Sequence, residues 1–173
     1  MSTSPEVNTK LAEMMDKHVA YLKGRTADWG ALEFQEKIDP RYRRAQMRYM
    51  GTGGTPVKGD VNVIPADHFT LSTMILPAGC IGPLHVHHDV EEAFFVIQGR
   101  IKFTWELDGE KVERTLDPRD LIVTPAGVWR ELENVSDEEG LMLVMLGAAK
   151  PVLPDYPANS PLTEARKEQQ SKS

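Results

Sequence analysis

Three side chains able to ligate a metal ion fall close together in the chain: His85, His87 and Glu92. Side chains alternate faces on an extended strand, so His85 and His87 point one way and Val86 the other. A tight turn at 88–90 then lets the next strand return Glu92 to the same interior. Two imidazoles and a carboxylate converging from adjacent strands suit a divalent iron, zinc, manganese or nickel ion. An isolated H-x-H is a weak signal by itself, because histidines and acids also populate polar turns.

A site built this way needs strands, and the sequence supplies them. From about residue 46 the chain breaks into short apolar or alternating runs at 46–50, 61–64, 69–76, 92–97, 101–107, 111–116, 121–123, 129–134 and 141–146, punctuated by glycine and proline. Asp108-Gly109 between two runs is a hairpin signal, and Gly99 and Pro125-Ala126-Gly127 mark further turns. Many short strands without intervening helices predict a sandwich or barrel. Ahead of them, Val7, Leu11, Met14, Met15, Val19 and Leu22 follow a helical rhythm, with Pro5 at an early helical position and Gly24 as a stop, predicting one amphipathic helix over 7–23. Arg41, Arg43, Arg44 and Arg48 form a basic cluster, read either as solvated arginines in ion pairs or as an anion-facing or subunit-contact surface. Beyond Gly147 lies a proline-rich stretch, and the polar tail at 163–173 either wraps the barrel or hangs loose.

Composition narrows the function classes. The chain has 173 residues, 40% of them hydrophobic, and a net charge of −6, which fits one soluble globular domain and disfavours a broad phosphate-binding face for nucleic acid. The single cysteine, Cys80, excludes an intramolecular disulfide and predicts a reducing cytoplasm. It reads as a small buried residue rather than a reactive thiol. No basic stretch followed by an apolar run opens the chain, and no segment reaches the ~20 apolar residues of a membrane span. Neither secretion nor a membrane partner is expected.

The spacing Gly79-x5-His85-x-His87-x4-Glu92-x6-Gly99 resembles the first motif of the cupin superfamily at every defining position. The resemblance covers about residues 61–147 and implies an all-β chain: a small monocupin with a double-stranded β-helix (jelly-roll) barrel and an added N-terminal α-helix. The division expected is 1–45 for the helix and basic extension, 46–150 for the barrel, and 151–173 for the proline-rich extension and tail. It also implies a metal held by His85, His87 and Glu92, and a homodimer with N-terminal elements packed across the interface. In the second motif Pro125, Gly127 and Asn134 stand where the resemblance places them, but Arg119 replaces the first glycine and Arg130 the fourth ligand. Arginine is permanently cationic and cannot ligate.

Three readings of Arg130 remain open at this point. It points into the cavity and serves an anionic substrate, as a catalytic and substrate-binding residue; or another residue, His68 or His88, completes the shell; or it pairs with Glu92 in place of an ion. Phe94 and Val96, which share the parity of Glu92, and Phe103 on the next strand are expected to line the substrate site, with Trp105 beside them. Asp89 and Glu91 should point outward, and Trp129 should face away from Arg130. Functionally, the resemblance implies a metal-dependent enzyme acting on a small carbonyl-, phenol- or carboxylate-bearing molecule, with a lean towards a dioxygenase among the oxidoreductases. A non-redox isomerase, decarboxylase or lyase and a non-catalytic binding or regulatory cupin are the alternatives.

Overall fold

A computed structural model describes residues 5–52 and 63–171. In chain order the elements are α1 (Pro5–Asp16), α2 (Glu33–Glu36), a 3-10 turn (Pro40–Tyr42), β1 (Ala45–Met50), β2 (Thr70–Leu76), β3 (Ile81–His85), β4 (Glu92–Gln98), β5 (Ile101–Leu107), β6 (Glu110–Leu116), β7 (Leu121–Thr124), β8 (Trp129–Asn134), β9 (Gly140–Leu146) and α3 (Pro161–Ser171). Two antiparallel sheets face each other, one ordered β1-β2-β9-β4-β7 and the other β3-β8-β5-β6. This is the cupin fold.

Strand periodicity explains which residues meet inside. Phe94 and Val96 from β4, Ile101 and Phe103 from β5, Leu132 from β8, and Met142 and Val144 from β9 form a hydrophobic core between the sheets. On β8 the buried positions are Arg130, Leu132 and Asn134, and the alternate residues, Trp129 among them, are half-buried on the other face. The polar ends of that inward row therefore need partners. Asn134 donates to the carbonyls of Leu76 (2.9 Å) and Glu138 (2.8 Å), joining β2 and β8 to the turn before β9. Trp105 donates its indole N–H to Thr124 Oγ at 2.9 Å, tying β5 to the opposite sheet.

The Asp108-Gly109 hairpin forms as expected, with both residues at positive φ (51° and 83°), as a type I′ turn requires. A less comfortable turn precedes β7. Arg119 holds φ 80°, a region costly for residues with a Cβ, while its N–H donates to Val96 O at 2.8 Å. The resemblance places a glycine there, and the backbone shows why. Arg119→Gly is expected to stabilise the protein by about 1 kcal/mol, read as a rise of about 2–4 °C in the melting temperature. A fall in Tm would show that the arginine side chain contributes more than its backbone costs.

Several expectations need correction. The helix predicted over 7–23 ends at Asp16. Its apolar stripe is exposed at Leu11, Met14 and Met15, so no packing sustains further turns, and Val19 and Tyr21 are weaker helix formers. Gly24 does take positive φ, but beside the separate turn in which Arg25 N–H donates to Leu22 O. As far as residue 171 the tail is not loose: α3 starts at Pro161 behind Ser160, whose Oγ accepts from Leu162 N–H, and Leu162 is buried. A serine cap followed by proline at the first helical position is a helix start signal. β3 lies outside the runs named above; the extended strand expected for His85 and His87 forms only as far as His85, and His87 lies beyond it. In the 61–64 run, residues 61 and 62 lie outside the described residues, and Ile64 forms an isolated bridge to Met50.

Candidate metal centre

His85 closes β3 directly opposite Arg130 on β8, Glu92 opens β4, and His87 sits between them beside the bridge that pairs Val86 with Asp155. Their ligating atoms lie within 4.8 Å of one another, the one such group among the described residues. His85 donates its Nδ1–H to Pro83 O at 2.7 Å, and His87 donates its Nδ1–H to Val152 O at 3.3 Å. Carbonyls only accept, so both imidazoles present an unprotonated Nε2 to the interior, the tautomer a metal ligand needs. Nε2 of His85 stands 3.8 Å from Glu92 Oε2.

Arg130 is fully buried and lies behind Glu92. Its Nε (2.9 Å) and Nη2 (2.7 Å) both donate to Glu92 Oε2, and Nη1 donates to Val128 O at 3.3 Å. It is not among the residues lining the cavity. Burial pushes the Glu92 carboxyl up, but the Arg130 guanidinium, which donates twice to Oε2, acts against this, and the carboxyl is held down at about 2. Burial lowers both histidines, His87 to about 4 against its ordinary 6.5, with the charge of Glu92 opposing the shift.

These shifts set the acid response of the metal-free protein. A histidine kept neutral when folded takes up its proton only on unfolding, so stability falls as pH drops from about 6.5 towards about 4. The charged Glu92 stabilises above its ordinary 4.5, and that contribution is lost as pH falls towards about 2. Thermal melts of metal-free protein should show Tm declining from near pH 6.5 downward, and His87→Ala should flatten the upper part of that decline. An acid response unchanged by the substitution would place the cause elsewhere.

The cluster opens into a cavity of about 330 Å³ between the sheets. Phe94 lines it, while Val96 and Phe103 lie in the hydrophobic core and are not among its walls. Trp105 packs against that core as well. His68 is exposed, and His88, also at the surface, stands 3.4 Å from Asp155, so neither joins the cluster. Glu91 is exposed, and Asp89 accepts from Val152 N–H at 2.7 Å, anchoring the C-terminal segment over the barrel mouth. Cys80 packs against the core, and burial raises its thiol.

The basic cluster divides between the surface and the cavity wall. Arg41 pairs with Asp39 and Arg43 with Glu36 on the surface, whereas Arg44 and Arg48 line the cavity. Gln35, Tyr156 and Arg166, which sequence reasoning missed, line it too. They come from segments flanking the barrel, where no motif marks them.

A two-sheet barrel with a buried His-His-Glu group near its mouth defines the class, and the comparisons agree with it. Residues 72–146 match the family model described as the cupin domain. Among solved structures, the chain is similar to an oxalate oxidase in complex with the substrate analogue glycolate (14% identity, TM-score 0.59, covering 79% of this chain and 62% of that one). It is also similar to Peruvianin-I, titled a cysteine peptidase from Thevetia peruviana latex (13% identity, TM-score 0.59, 88% and 82%), and to oxalate decarboxylase from Bacillus subtilis (16% identity, TM-score 0.52, 74% and 32%). The chain spans less than two thirds of the length of that oxalate oxidase. No curated protein matches the chain. Identities this low speak to the fold, and the fold alone does not choose an activity.

Proposed function

We propose that the chain is a metal-dependent cupin enzyme acting on a small molecule that bears a carbonyl, phenolic or carboxylate oxygen. One observation carries this reading: His85 and His87 have their Nδ1–H groups tied to backbone carbonyls, so both Nε2 atoms are presented beside the buried Glu92. The donor set fits a borderline divalent ion of the iron, zinc, manganese or nickel kind. When bound, such an ion supplies Lewis acidity for developing oxygen charge and, if it is iron, redox chemistry with dioxygen.

The chain's own residues set the conditions. Arg130 acts through Glu92 as a positioning residue: both of its bonds to the carboxylate end on Oε2, which keeps the group ionised and leaves Oε1 for another partner. Phe94, Met74 and Val144 give the cavity apolar walls that exclude water from the reacting oxygen. Dioxygenation suits these walls, and isomerisation, decarboxylation or elimination suits a redox-inert ion. The oxalate-acting neighbours are kin in fold, so the substrate has to be read from this cavity.

The Arg130–Glu92 pair favours a second reading, a binding or regulatory cupin in which the guanidinium stands in for the ion's charge. Elemental analysis of protein purified without added metal separates the two. A first-row transition metal near one per chain, lost in His85→Ala/His87→Ala, supports the enzyme. Protein that neither contains such a metal nor takes one up on incubation is the binding module.

We also propose that the chain works as a homodimer. Ala93, Val123 and Met145 share the face of the larger sheet turned away from the core, and Leu121 (62% exposed) extends it. The exposed stripe of α1 offers a second apolar surface on the same chain. Light scattering should give twice the 19.4 kDa chain mass, with Leu121→Lys/Val123→Glu shifting it to the monomer. A monomeric parent protein would refute this.

No helix among the described residues is long and apolar enough to cross a membrane. The lone Cys80 suits a cytoplasmic setting, which we propose on that ground.

A further inference from the structure

A second polar group lines the same cavity and has no part in the metal centre. We propose that Arg44, assisted by Gln35 and Tyr156, is a subsite for the carboxylate of a small, largely apolar organic acid. The proposal deepens the small-molecule reading above and rests on it, but it does not depend on a metal.

Arg44 is only 7% exposed, yet no carboxylate among the described residues pairs with it. Its Nη1 donates to Tyr42 O at 3.3 Å, and its Nε is buried with no partner among the described residues. A buried cation without a counter-charge is costly, and arginine is not relieved by giving up its proton. Burial does push the guanidinium down to about 10, which leaves it charged at neutral pH. Glu92 is the one carboxylate among the cavity-lining residues, and Arg130 already holds it through two hydrogen bonds. Both histidines are kept neutral by burial. The missing counter-charge is therefore one that a ligand brings.

The surroundings describe that ligand. Gln35 donates to the Tyr156 hydroxyl at 2.5 Å, and its Oε1 is buried with no partner, ready to accept from a hydroxyl carried near the carboxylate. Arg166, whose guanidinium lies 5.9 Å from the centre of the Tyr156 ring, stands on the same wall but is already answered by Asp155 at 3.8 Å, which leaves Arg44 as the buried cation without a carboxylate among the described residues. The unpartnered Nε of a planar fork matches a carboxylate, and Arg44, the buried one of the three arginines lining the cavity (Arg44, Arg48 and Arg166), is balanced by one negative charge. A phosphate would bring nearly two charges, and the apolar walls Leu32, Phe34 and Met74 leave room for a hydrocarbon body alongside the polar Gln46, Thr70 and Ser72. At about 330 Å³ the cavity is at the small end of ligand pockets, which suits an acid the size of a substituted benzoate.

Isothermal titration of full-length, chelator-treated protein tests this with benzoate, salicylate, neutral benzamide and inorganic phosphate. Benzoate and salicylate should bind, salicylate more tightly, and benzamide and phosphate at least about tenfold more weakly. Arg44→Met should weaken the two acids by about 10–100-fold, the loss expected for a charge-assisted pair, and its ligand-free Tm should equal or exceed that of the parent, because an unpaired buried charge has been removed. A lower ligand-free Tm would make Arg44 a structural residue and overturn the proposal, as would absence of acid binding, acid binding unchanged in Arg44→Met, or a preference for phosphate. The same titration on His85→Ala/His87→Ala separates the two readings. Acid binding retained there leaves the subsite standing even if no metal is ever found, whereas a metal-loaded protein whose acid binding ignores Arg44 overturns the subsite alone.

Discussion

Arg130→Met destabilises the metal-free protein by about 3–5 kcal/mol, the range for stripping one partner from a buried ion pair. For a chain of this length that is a fall of roughly 10 °C in Tm. The cause is Glu92, a buried carboxylate that loses both of its charge-assisted hydrogen bonds at once. The sharper expectation is what metal does to the variant. An ion between His85, His87 and Glu92 neutralises the same carboxylate, and removal of the neighbouring guanidinium removes its repulsion of that ion. Metal should therefore raise the Tm of Arg130→Met by more than it raises that of the parent, through the ordinary linkage of ligand binding to stability. Glu92→Gln should behave oppositely, stranding Arg130 without its counter-charge and gaining nothing from metal. Melting curves with and without added manganese or zinc read all three proteins, and equal metal gains in parent and Arg130→Met would detach Arg130 from the site's charge balance.

His85→Ala/His87→Ala removes two of the three ligands, and its effect should divide cleanly between function and folding. Loss of a partner that merely orients a ligand costs about 10–100-fold in metal affinity, so deleting two ligands should exceed that range and leave no stoichiometric binding. Stability of the metal-free fold should change far less, by about 1 kcal/mol, because both imidazoles are neutral when buried and their removal strands no charge. Equilibrium dialysis gives the affinity and melting curves the stability. A double variant that unfolds outright would mean that these histidines serve the fold rather than an ion.

Much of this centre was readable in the sequence because it rests on strand alternation. The parity of Glu92, Phe94 and Val96 follows from the period of two, and the same rule turns Arg130 inward and Trp129 to the other face, whereas His87 lies two residues past the end of β3 and is held there by its own contacts. Parity fixes a face but not a depth along it. Val96 and Phe103 share the inward direction yet sit in the hydrophobic core, and Arg130 reaches Glu92 from behind instead of facing the cavity. Distance along the barrel axis depends on stagger between strands, which no local pattern encodes. The other half of the cavity was illegible for a different reason. Gln35, Arg44, Tyr156 and Arg166 come from segments at both ends of the chain, and contacts such as Gln35 to Tyr156 are purely long-range. The stripe that predicts a helix as far as residue 23 is exposed at Leu11, Met14 and Met15, and α1 ends at Asp16, so periodicity and packing are separate facts.

The central claim is that His85, His87 and Glu92 hold a divalent metal ion in an open site. Anomalous scattering from crystals of protein purified without added metal, recorded on either side of the iron, manganese, nickel and zinc edges, tests it most directly. The account predicts one peak per chain at bonding distance from both Nε2 atoms and a Glu92 oxygen, about 2.0–2.2 Å, with at least one coordination position facing the cavity. A map without a peak there, before and after soaking in those ions and with Glu92 still held by Arg130, would contradict it.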